Sequence, residues 1–187
     1  MKQLAEAKET ELFWEQPKAS QRNFFLRSEK YIFAQLEFDS AFSKLAEATS
    51  PDEQWIFKRV GVFSTQVKVQ QADSEIILAS YYPSWIGSQG KIQLLNGEEY
   101  DWNVANFFGT KFAIYKEDGN ELITYLSGSR SKKFSNLFKR EAQVVIAPEA
   151  WQIKELALLM LLGWYLVILH KEDSAAVAAS GSIASLY

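Results

Sequence analysis

From residue 22 to about 147, apolar and polar positions alternate with a period of two in short runs, and turn signals separate the runs. In YIFAQLEF, Ile32, Ala34, Leu36 and Phe38 alternate against Tyr31, Phe33, Gln35 and Glu37. WIFKRVGVF places Trp55 and Phe57 opposite Ile56, Lys58 and Val60. Such alternation predicts strands with one buried face. QVKVQQ and EIILAS flank Ala72-Asp73-Ser74, KIQLL and EEYDW flank Asn96-Gly97, and KFAIYK and ELITYL flank Glu117-Asp118-Gly119-Asn120. Each reads as a hairpin. Asn-Gly is the clearest of them, because a type I′ turn needs positive φ at both central residues. QVVIA, Gln143 to Ala147, is the last expected strand before Pro148. Turns about every dozen residues suit an all-β sandwich or barrel.

After Pro148 the period changes. Residues 156 to 169 read LALLMLLGWYLVIL, with no charge and no strongly polar group. A helix that is apolar on every side has to be surrounded. Three settings compete. A membrane span needs about twenty apolar residues, whereas fourteen at ~1.5 Å each cover only ~21 Å. A helix on one face of a sheet would leave part of Leu158, Leu161, Trp164 and Leu169 wet. A helix threaded through a closed barrel is covered all round, and Gly163 then marks a close approach to a strand. The third setting also explains the chain order, strands first and one helix last. The expected fold is mainly β: a closed antiparallel barrel of roughly twelve strands around one buried hydrophobic C-terminal helix. No transmembrane span is expected.

The ends read less clearly. Residues 2 to 15 hold good helix formers and stop at Pro17, which predicts a short helix. The expected organisation is an N-terminal extension over 1–20, one barrel domain over 21–173 with its central helix about 149–171, and a tail over 174–187. The tail, SAAVAASGSIASLY, reads as disordered or as a final strand.

Composition narrows the functional classes. Of 187 residues, 48% are hydrophobic and 14% aromatic, enough for a sizeable core. The net charge of −3 argues against a nucleic-acid-binding domain. There is no cysteine, which removes disulfides, thiolate metal sites and Cys nucleophiles, and fits a reducing, cytoplasmic setting. The first sixteen residues lack the apolar stretch of a signal peptide.

The hairpins followed by one hydrophobic helix resemble the tubby C-terminal superfamily, which includes tubby domains, phospholipid scramblases and LURP-one-related proteins. The resemblance lies in WIFKRVGVFSTQVKV, in the Asp118-Gly119 hairpin after FAIYKE, and in ELALLMLLGWYLVIL, and it covers about Phe24 to Asp173. It implies a barrel of roughly twelve strands around the last helix. It implies little about activity, since fold does not fix function.

Catalytic chemistry finds little to work with. His170 is the only histidine, at the end of the apolar helix, where a helix-capping role accounts for it. Ser129-Arg130-Ser131-Lys132 fits S-x-x-K by letter but lacks that motif's companions. Glu98, Glu99 and Asp101, and Glu117 and Asp118, sit beside turns and read as solvated hairpin ends. No phosphate loop, EF-hand or histidine-rich metal site is present in the sequence, so neither a cofactor nor a metal is expected. One segment stands out: residues 130 to 140, RSKKFSNLFKR, carry five cations and no acid, with Phe134, Leu137 and Phe138 between them. Cations near an anionic leaflet gain ~1 kcal/mol each, and aromatics insert at the interface. Arg130, Lys132, Lys133, Lys139 and Arg140 are therefore the candidate ligand-binding residues for an anionic lipid. The plainer reading is a solvated loop whose aromatics fold inward. Tubby domains bind phosphoinositide head groups through basic side chains, but no position here aligns with them. The expected function is a non-enzymatic binding module for anionic phospholipid or a protein partner, peripheral to a membrane. The alternative is a structural or interaction protein that binds no lipid.

Overall fold

Twelve antiparallel strands close on themselves around the C-terminal helix in the computed structural model of the chain, which describes residues 1–61, 65–85, 87–128 and 140–183. The first six strands are β1 (Leu12–Glu15), β2 (Asn23–Arg27), β3 (Ile32–Phe38), β4 (Leu45–Thr49), β5 (Gln54–Val60) and β6 (Gln66–Gln71). The rest are β7 (Ile77–Pro83), β8 (Gln89–Leu94), β9 (Glu99–Val104), β10 (Lys111–Lys116), β11 (Glu121–Ser127) and β12 (Glu141–Ile146). Each strand pairs with its neighbours in sequence, and β1 pairs with β12 to close the ring. Closure leaves no sheet edge to template aggregation. The helix α1 (Leu156–Ile183) follows a 3₁₀ turn at Pro148–Gln152.

The alternation read from the sequence becomes the lining of the barrel. Trp55 and Phe57 of β5 face inward against Ala48 and Ala46 of β4, a large-against-small pairing that leaves room for a helix inside. Gly97 takes φ +89° but Asn96 has no positive φ, so the Asn96-Gly97 hairpin is not the type I′ turn expected. The Gly97 N–H donates to the Leu94 carbonyl at 3.0 Å, which makes Leu95 and Asn96 the central residues and puts Gly97 in the left-handed position after them. The alternation breaks at the start of β3, where Ile32 is exposed and Phe33 buried; the register shifts at Leu26/Arg27 on the paired strand.

Inside, α1 is buried on every side from Leu158 to Leu169. Its Trp164 stacks on Trp14 at 5.6 Å and meets Phe24 edge-on at 5.9 Å. The next residue, Tyr165, stacks on Phe38 at 5.5 Å and leans on Phe57 at 5.4 Å. Aromatic pairs of this kind add ~0.5–1.5 kcal/mol each beyond area burial. Among the described residues, no helix is long and apolar enough to cross a membrane.

Two expectations at the chain ends are corrected. Residues 2–15 do not form one helix: a 3₁₀ turn at Leu4–Ala7 is followed by β1, a barrel strand that lies within the span read as an extension. Leu12 and Trp14 are buried and alternate with Phe13 and Glu15, and pairing with both β12 and β2 outweighs the local helix propensity. At the other end α1 continues past residue 171 to Ile183, through the segment read as disorder or a strand. Ala-rich sequence continues a helix that has already been nucleated.

Candidate functional site

The strand order fixes two ends of the barrel. Odd-numbered strands finish, and even-numbered strands begin, at the rim where α1 emerges; this is the upper rim. Its described connecting residues are 16–22, 39–44, 61, 65, 84–85, 87–88, 105–110, 128 and 140. The lower rim carries the other connections and the start of α1.

Exposed aromatics gather on the upper rim. Phe42 is 94% exposed, Trp85 98%, Phe107 97% and Phe108 82%. On the lower rim the exposed apolar residues of the hairpin turns are Tyr31 at 50%, Ile76 at 55% and Leu95 at 66%. Local hydrogen bonds hold the upper loops in shape. Asn106 Oδ1 accepts from the backbone N–H of Thr110 (2.9 Å) and Lys111 (3.0 Å), closing a turn that projects Phe107 and Phe108. Ser84 N–H donates to the Gln89 carbonyl at 2.8 Å and Gly87 N–H to the Ser84 carbonyl at 3.0 Å, which places Trp85 at a tight tip. Arg22 Nη1 donates to the carbonyls of Ser40 (3.0 Å) and Ser43 (2.6 Å) and so pins the loop that carries Phe42.

The two rims differ in charge. The lower connections hold thirteen carboxylates and four lysines. The described upper connections and the emerging turn of α1 hold Lys18, Arg22, Lys44, Arg140 and Lys171 against Asp39, Glu172 and Asp173. A chain of net charge −3 is thus polarised along the barrel axis, positive at the aromatic end.

Glu172 is the centre of the upper-rim charges. It accepts from Arg22 Nη2 at 2.9 and 3.0 Å, from Lys44 Nζ at 2.7 Å and from Arg140 Nη1 at 3.0 Å. Burial opposes its ionisation, but hydrogen bonds from Lys44 and Arg140 and the charge of Arg22 outweigh burial and hold its carboxyl below the ordinary value. Three cations around one carboxylate leave a local surplus of positive charge. Burial, together with nearby Arg140, pushes the Lys171 ammonium down; Lys171 Nζ donates to Ser127 Oγ.

Of the residues singled out in the sequence, Arg140 lies at the foot of β12, engaged with Glu172 and, through its backbone N–H, with Gln16 Oε1 at 2.9 Å. Arg130, Lys132, Lys133 and Lys139, and the S-x-x-K tetrad, lie outside the described residues. His170 is half-buried, edge-on to Trp102 at 6.0 Å and Phe112 at 5.7 Å; burial pushes its imidazole down, partly offset by a hydrogen bond with the Gly87 backbone. Glu99 and Asp101 pair with Lys91 across β8 and β9, and Asp118 accepts from the Asn120 N–H at 3.0 Å within its own turn. Among the described residues no cluster of His, Asp and Glu is arranged to hold a metal.

Sequence reasoning missed the aromatic crown, because its residues are far apart in the chain. The usable signal was parity: aromatics at 42, 85, 107 and 108 all fall in alternate turns of a meander, which places them on one rim. Compared with protein-family models, with curated proteins and with solved structures, the chain matches none.

Proposed function

We propose that the protein is a non-enzymatic binding module whose upper rim docks on an anionic phospholipid surface. The observation that carries this reading is the coincidence, on one rim, of four highly exposed aromatics with the positive end of the barrel. Exposed aromatics gain by entering the headgroup region, and each nearby cation adds ~1 kcal/mol against an anionic leaflet. The acidic lower rim points the other way and favours a single orientation. A peripheral, cytoplasmic location and a place among tubby-like barrels belong to the same proposal. The latter rests on the strand-and-helix architecture and on the motifs quoted above.

The test is co-sedimentation with vesicles of phosphatidylcholine containing phosphatidylserine, against phosphatidylcholine alone. The full chain is expected to pellet with the anionic vesicles at low salt and less at high salt, as screening shortens from ~10 Å at 0.1 M to ~3 Å at 1 M. The variant Trp85→Ser/Phe107→Ser/Phe108→Ser should pellet poorly while melting like the wild type. A wild-type chain that ignores anionic vesicles at low salt overturns the reading and favours an interaction protein without lipid binding.

A further inference from the structure

On the upper rim a cavity of about 610 Å³ separates α1 from the wall formed by β5, β6, β7 and β9. Its volume lies within the range of small-molecule sites, ~300–1,000 Å³. Its lining follows α1 from Leu166 to Ala178. The buried part of that lining runs from Leu166 to Leu169, and from Asp173 outward the helix is exposed, so the cavity is a pocket that opens along α1 onto the rim. The inner part is apolar and aromatic, with Leu166, Leu169, Val67, Tyr81 and Trp102. Trp102 is 1% exposed, and its indole N–H has no hydrogen-bond partner among the described residues. The Ser84 hydroxyl, from another lining residue, is likewise buried without one. Trp14 and Trp164, outside the cavity, have unpaired buried indole N–H groups as well, so these donors do not identify the occupant. Toward the outside the lining turns polar with Asp173, Ser174 and Arg59. Arg59 uses Nη1 on Asp173, at 2.8 and 3.0 Å. That contact does not use the Nε and Nη2 edge of the guanidinium.

We infer that this cavity binds one long acyl chain, tail inward against Trp102 and Leu166, with its acidic head at Arg59. The gradient from apolar depth to a polar mouth, where the Arg59–Asp173 pair leaves one edge of the guanidinium for a head group, matches a fatty acid, or one chain of a phospholipid. Ser84, Gly87 and Ser88 line it and belong to the loop that carries Trp85, so the mouth opens on the rim proposed to dock. The site does not depend on that docking, since a free fatty acid reaches it from solution.

The experiment uses parinaric acid, a fluorescent polyene fatty acid, in vesicle-free buffer, and in a second arm vesicles containing a phospholipid with a parinaroyl chain. Ser174→Trp and Val177→Trp place a bulky ring at the mouth from exposed positions, so neither disturbs the core. Thermal melts check that both stay folded. Wild-type protein is expected to take up the probe and to transfer energy to it from tryptophan, and each blocked variant to bind at least tenfold more weakly. Uptake sensitive to the blocking variants in the first arm identifies free fatty acid; in the second arm alone, a membrane lipid chain. No uptake in either arm, or equal uptake by wild type and both variants, overturns the inference. Vesicle pelleting that persists in that case leaves the docking proposal standing, so the two readings fail separately.

Discussion

Tyr125 fills the space that a side chain at Gly163 would need. A Cβ built on Gly163 would overlap the Tyr125 hydroxyl, which donates to the Met160 carbonyl at 2.9 Å. The strand therefore approaches α1 through a tyrosine, and the glycine gives that ring its place. Gly163→Ala is expected to cost about 1–3 kcal/mol, the usual penalty for overpacking a filled core. Urea unfolding of both proteins measures it. A variant as stable as the wild type would mean that the Tyr125 ring gives way at no more cost than the ~1 kcal/mol of helix propensity that alanine gains over glycine.

The helix is also expected to be indispensable. Leu162 is fully buried, at 0% exposure. Leu162→Asp buries an unpaired carboxylate at a cost of several kcal/mol, comparable to the whole stability of a domain. Truncation after Pro148 empties the barrel and strands the inward faces of Trp14, Trp55 and Phe57. Neither protein should give a cooperative thermal transition. Sharp unfolding of the truncated chain would show that the strands pack without their plug.

The barrel and its plug were legible because period-two alternation and an all-apolar helix are local signals that a closed sheet satisfies together. Gly163 was legible for the same reason: a glycine amid large apolar residues needs a steric cause, and Tyr125 supplies it. β1 was not legible, since Leu12–Glu15 is only four residues long and owes its form to partners more than one hundred residues away in β12. The aromatic crown and the Glu172 network were hidden too. Phe42, Trp85 and Phe107 fall on one rim only once the direction of every strand is known. Arg22, Lys44 and Arg140 meet Glu172 across 150, 128 and 32 residues of sequence.

That network gives a pH dependence with a definite sign. The folded Glu172 carboxyl titrates below its ordinary value of 4.5, so its contribution to stability is present above that pH. It is lost as the pH falls through the folded value. Glu172→Gln should cost about 2 kcal/mol at pH 7, because Arg22 and its neighbours are left half-buried without a counter-charge. The gap between the two proteins should narrow as the pH falls below 4.5 and through the lowered folded value, where the wild-type carboxyl also becomes neutral. Denaturant melts at a series of pH values from 7 downward decide it: a gap that stays the same size throughout would place the effect in packing rather than in charge.

Arg140 should behave unlike the other four cations of its segment. Its guanidinium hydrogen-bonds Glu172 while its backbone N–H to Gln16 survives any side-chain change, so Arg140→Gln should lower stability by about 1 kcal/mol through the lost ion pair alone. It should change vesicle binding little, since that charge is already balanced in part. Replacing Arg130, Lys132, Lys133 and Lys139 together with Ser removes four charges for which the sequence of 128–139 offers no acid. That variant should melt within about 0.5 kcal/mol of the wild type, as solvated surface positions do, and should lose most of its pelleting with anionic vesicles at low salt. The paired measurement, melting and pelleting on both variants, separates the roles. If the four-fold variant unfolds while Arg140→Gln is silent, the segment supports the barrel and the anionic surface is met elsewhere on the rim.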